Sequence, residues 1–76
     1  SATLRLHRGQ TSLAIQDLNH AVESATDDDQ RSEALYELGT LYAAQGERER
    51  ALAAFEGVHE GFRDREDRLK GLREQS

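Results

Sequence analysis

SEALYELGTLYAAQGERERALAAFEGV, residues 32–58, is the stretch that decides the fold. Within it Leu35, Leu38, Leu41 and Tyr42 recur at the three- and four-residue intervals of an amphipathic helix. Gly39 interrupts that apolar run, at a cost of about 1 kcal/mol relative to alanine in a helix interior. Such a glycine marks a close approach, here expected from a second helix. Gly46 supplies the stop, since glycine is favoured just past a helix end. After Glu47, the residues Ala51, Leu52, Phe55 and Val58 lay out a second helical face. The stretch predicts two helices folded back on each other, with Gly39 opposite Ala51 and Tyr42 and Phe55 filling the space beside them.

Toward the N-terminus, Leu13, Ala14, Leu18, Ala21 and Val22 keep the helical period to about Ser24. Gly9-Gln10-Thr11 reads as a turn with Thr11 as the N-cap, leaving Ser1–Arg8, with Leu4 and Leu6, as the tail of an earlier helix. Ser24–Asp29 is polar, and Asp28 or Asp29 is expected to cap the next helix, where the positive end of the dipole favours acids. Toward the C-terminus, Gly57 and Gly61 weaken the second helix of the pair. Asp64 is expected to cap a last helix, with Asp67 at capping-box spacing. Leu69 and Leu72 are its apolar contacts, set among charged residues from Arg63 to Glu74. No segment alternates as a strand would, and β-branched clusters are lacking. The fold class is therefore all-α.

At 76 residues the chain makes one small domain, of a size that buries only about 60% of its unfolded surface. The net charge is −5, and the longest clean charge run is Asp27-Asp28-Asp29. That balance speaks against nucleic acid, whose binders carry a basic patch. No apolar run approaches the length of a membrane span, and no signal peptide is read at the start. Opening on Ser1-Ala2, the sequence reads as part of a longer protein. With no cysteine there is no disulfide framework and no thiolate metal site, which fits a reducing compartment, the cytoplasm. Nine of the ten basic residues are arginine, a bias that suits a GC-rich bacterial genome.

The residues offer little chemistry. His7, His20 and His59 stand 13 and 39 positions apart, with no pair one helical turn apart. The three aspartates lack the alternating ligands and distal glutamate of a calcium loop. There is no nucleophile elbow and no glycine-rich phosphate loop, and no apolar run surrounds a carboxylate to tune it. No enzyme activity, cofactor or metal is expected.

An internal repeat is present. GQTSLAIQDLNHA (9–21) aligns with GERERALAAFEGV (46–58), so that Gly9 meets Gly46, Ala14 meets Ala51, Leu18 meets Phe55 and Ala21 meets Val58, each 37 residues on. The second of these, with the helix before it, closely resembles the tetratricopeptide repeat, a helix–turn–helix unit of 34 residues. The pattern falls on Leu35, Leu38, Gly39, Tyr42, Gly46, Ala51, Phe55 and Val58. Leu35 stands where an aromatic is usual, Val58 where alanine is usual, and the terminal proline is replaced by Phe62-Arg63-Asp64. The resemblance divides a single domain, 1–76, into a partial repeat (1–24), a full repeat (30–62) and a capping helix (64–76). It implies antiparallel helix pairs stacked as a short α-solenoid.

It also implies a role: a protein-binding adaptor or scaffold holding a peptide or partner helix on a concave face lined by the first helix of each pair. By position that face would comprise Leu6, His7, Glu33, Tyr36, Glu37, Thr40, Ala43, Ala44 and Lys70. The lysines, arginines and asparagines that grip carboxylate tails in some of these repeats are missing here. A basic or amphipathic protein segment fits the acidic slots, although Glu33 and Glu37 read equally as solvated helix surface. A second role stays open. One and a half repeats make a poor core, and a homodimer would cover Leu13, Leu18 and Val22. The last helix is likewise either a solvating cap, which such stacks need, or a pairing element.

Overall fold

The structure, a computed structural model, describes the backbone of residues 2–74 and the side chains from residue 11 to 74. Four helices follow one another: α1 (Ala2–Ser24), α2 (Asp28–Ala44), α3 (Arg48–Glu56) and α4 (Arg65–Arg73). The described residues form no strand, and none of these helices is long and apolar enough to cross a membrane.

α1 corrects the expected turn. It runs 23 residues without a break, straight through Gly9-Gln10-Thr11. A lone glycine costs a helix about 1 kcal/mol, which fixes no break unless a proline or a left-handed turn follows. The aligned glycines are thus unlike: Gly9 is helical, whereas Gly46 sits at φ +79.

α2 starts where Asp27, in extended backbone, accepts a hydrogen bond from the Gln30 N–H at 2.8 Å. The cap is therefore one residue before the expected Asp28 or Asp29, and those two acids occupy the first turn instead. The Gln30 side chain reaches back to the Thr26 N–H and hydroxyl. At the other end Glu47 N–H bonds the Tyr42 carbonyl at 2.9 Å and Gly46 N–H bonds that of Ala43. This is the Schellman closure, which needs the left-handed residue that glycine provides.

α3 returns antiparallel along α2. Phe55 lies against Gly39, Leu35 reaches Gly57, and the Ser32 hydroxyl accepts the His59 N–H at 3.0 Å. The core lies among α2, α3 and α4: Ala51, Phe55, Leu69 and Leu72 are buried together, with Tyr36, Tyr42 and Leu52 packed against them. The expected docking of Leu69 and Leu72 on the preceding pair is thus observed. α1 leans on α2 and, among described side chains, sends nothing fully inside. Ala14, Ile15, Leu18 and Val22 are half-buried, and Leu13 is 62% exposed.

The side chain nearest Gly39 is that of Phe55. A Cβ at residue 39 would fall 2.7 Å from the Phe55 ring, so the glycine is a seat for that ring. Tyr42 packs against the same cluster as expected, and Tyr36 in addition meets the Phe55 ring edge-on at 5.4 Å.

Candidate functional site

One side of α2 carries the half-buried Tyr36 and the exposed Glu37, Thr40 and Ala43, with Thr40 and Ala43 one and two helical turns on from Tyr36. On one side of it, toward α1, a groove of about 470 Å³ is lined by Ala14, Leu18, Tyr36, Glu37, Thr40 and Leu41, with Arg63 at its edge. Next to it, Glu33 and Glu37 border a shallower depression over Leu18, Ala21 and Ala34. On the other side, toward α4, Thr40 and Ala43 border a smaller hollow of about 240 Å³ with Phe55, Asp67, Arg68, Gly71 and Leu72.

Of the residues expected on the concave face, Glu33, Tyr36, Glu37, Thr40 and Ala43 line these depressions. Ala44 and Lys70 are exposed but border none of the three. Leu6 and His7 lie outside the residues whose side chains are described. The apolar floor of the larger groove comes from Ala14, Leu18 and Leu41. Periodicity marks all three as apolar positions, Leu18 is among the residues expected to lack cover, and all three are half-buried.

Tyr36 is more committed than its expected role implies. Its hydroxyl donates a short hydrogen bond to an Asp64 carboxylate oxygen and accepts one from Arg68 Nε at 3.3 Å. Arg63 lies 5.3 Å from its ring centre, and Phe62 tilts against it at 6.1 Å. Tyr36 is thus the wall of the groove, tied to the loop between α3 and α4, and it leaves its phenol edge little freedom to meet a ligand. The Tyr36 hydrogen bond, with Arg68 behind it, holds the Asp64 carboxyl below its ordinary 3.8. Asp64 precedes α4 but makes no side-chain cap, because this network uses its carboxylate.

The two acids of the groove differ. Glu33 pairs with Arg63 at 3.4 Å. Glu37 enters no ion pair among the described residues. An exposed carboxylate beside an apolar floor can offer charge to an incoming cation without first giving up a partner, so desolvation is its main cost.

The connection 57–64 is held by residues that no pattern flagged. Ser32 is 2% exposed, and Arg65 has a side chain only 14% exposed. Arg65 donates to the Val58 carbonyl at 2.6 Å and the Glu56 carbonyl at 3.3 Å while paired with Glu66. It closes the C-terminal end of α3, where a cation is favoured. The only sequence signal for Ser32 was that it shares the phase of Leu35 and Gly39.

Among the described residues no three histidine or carboxylate side chains converge in a way that could hold a metal ion. No protein-family model matches the chain, and comparisons with curated proteins and with solved structures find no match either.

Proposed function

We propose that this chain is a tetratricopeptide-type adaptor, a non-catalytic module that holds a basic amphipathic segment of a partner protein in the groove between α1 and α2. The observation that carries this reading is the pairing of an apolar floor (Ala14, Leu18, Leu41) with an exposed carboxylate, Glu37, that enters no ion pair among the described residues. Apolar residues of the bound segment would lie on the floor, as in helix-in-groove recognition. A lysine or arginine one turn away would meet Glu37 and set selectivity and encounter rate more than raw affinity. The α2–α3 pair supports the repeat reading through its glycine seat at residue 39, its glycine turn at residue 46 and its buried Ala51. A stacked solenoid and a cytoplasmic setting belong to the same proposal.

The test is fluorescence anisotropy with a lysine–leucine amphipathic peptide and its glutamate–leucine counterpart. The lysine peptide binds more tightly, its affinity falls as salt rises, and Glu37→Lys abolishes the preference. Equal affinity for both peptides, or an unchanged preference in Glu37→Lys, rejects the groove as the binding site.

One observation favours a second reading. Leu13, a large apolar side chain 62% exposed on α1, suits self-association. Under that reading sedimentation velocity shows a concentration-dependent dimer that Leu13→Asp disperses, and a monomer at every concentration removes it.

A further inference from the structure

His59 sits where the loop between α3 and α4 meets the start of α2. Its Nε2 lies 3.0 Å from an Asp29 carboxylate oxygen, and its Nδ1 lies 3.0 Å from the Glu60 carbonyl. Both partners are acceptors. A neutral imidazole has one N–H and one lone pair, so it would satisfy one contact and turn a lone pair toward oxygen at the other. Only the imidazolium donates to both.

The ring is also placed to transmit what it feels. Phe62 meets it edge-on at 5.2 Å, and the same phenyl lies against Tyr36 at 6.1 Å. Arg63, the next residue, stands over both the Tyr36 and Phe62 rings at 5.3 Å and pairs with Glu33. Arg63 holds a left-handed backbone, φ +48, which a side-chain-bearing residue adopts only when its surroundings impose it. A line of contacts thus runs from His59 through Phe62 and Arg63 to the Tyr36 wall of the groove.

We propose that His59 is a proton-operated latch, fastened to Asp29 when charged, that fixes the loop carrying Phe62 and Arg63 and thereby the edge of the α1–α2 groove. The charged groups facing the ring from α2 are Asp29 and, further off, Asp28; on its own loop it meets the Glu60 carbonyl and the Phe62 ring. The Glu60 carbonyl and the two aspartates hold the His59 pKa above its ordinary 6.5, despite some desolvation. The dipole of α2 opposes a cation at this end, and the Asp27–Asp29 run counters it. The consequence for the groove rests on the function proposed above; the latch itself does not.

The test is NMR titration of the histidine rings and backbone amides of the whole chain, without any peptide, with the His59 signals assigned from His59→Gln. The expected result is a His59 midpoint above 6.5, with the Phe62, Arg63 and Tyr36 amides titrating at the same midpoint. Asp29→Asn moves that midpoint down, while Glu23→Gln, at the end of α1, leaves it in place. A His59 midpoint at or below 6.5, loop amides indifferent to it, or no response to Asp29→Asn overturns the latch. Since no partner takes part, failure here is separate from failure of the peptide test, which runs at one fixed pH.

Discussion

Two glycines inside helices show how one residue type follows opposite rules. Gly39 is buried, with the Phe55 ring pressed onto its backbone, and Gly71 on α4 faces open space. Alanine at 71 therefore gains helix propensity, up to about 1 kcal/mol, and meets nothing. Alanine at 39 gains the same but drives its methyl into a ring that is 1% exposed and enclosed by Tyr36, Leu69 and Leu72. Overpacking of that kind costs about 1–3 kcal/mol. Thermal unfolding is expected to place Gly71→Ala above and Gly39→Ala below the parent chain. A Gly39→Ala midpoint equal to or above the parent would show that the ring is not seated there. The sequence made the need for a close approach at 39 plain, because glycine in an apolar run has few other reasons. It did not say that the Phe55 ring would lie closest to Gly39.

The elements are held as much by their ends as by their faces. α2 has its Asp27 cap and Schellman closure, α4 has Glu66 and Asp67 in its first turn and Lys70 and Arg73 in its last, and α3 borrows its closing group from Arg65. Hydrogen bonds from a charged donor contribute roughly 1.5–3 kcal/mol. Arg65→Met, which keeps the apolar stem, is therefore expected to lower stability by about 2 kcal/mol, or roughly 8–16 °C in a domain of this size. Urea melts of the two proteins check this, and coincident curves would show that water replaces the guanidinium without loss. The start of α2 was legible to within a residue because aspartates cluster there. The continuity of α1 was not legible, since a glycine followed by Gln-Thr matches a turn and a tolerated helical glycine equally well. Arg65 was hidden by its surroundings in the sequence: among Arg63, Asp64, Glu66, Asp67 and Arg68 nothing singles it out.

At the scale of the molecule, two titrations bound the range in which the loop 57–64 is tied down at both ends. His59 is raised, so its contribution is full below the unfolded value of 6.5 and fades as pH rises through the folded value. Asp64 is lowered, so its contribution is full above 3.8 and fades as pH falls through the folded value. Stability, followed as the thermal midpoint, is expected to peak between these two values. It should decline on the alkaline side in the parent chain but less in His59→Gln. An identical alkaline decline in that variant would assign the loss elsewhere. The all-α class and the pairing of α2 with α3 followed from period and punctuation. The groove did not, because its floor exists only where α1, an element with no buried side chain among those described, stops short of covering α2.

The most direct measurement of the adaptor role is amide chemical-shift mapping with the lysine–leucine peptide. The account predicts that the shifts concentrate at Ala14, Leu18, Tyr36, Glu37, Thr40 and Leu41, and that in Glu37→Lys the lysine–leucine and glutamate–leucine peptides shift these amides alike. Shifts centred on the outer faces of α3 and α4, or a preference for the lysine–leucine peptide unchanged by Glu37→Lys, would contradict it.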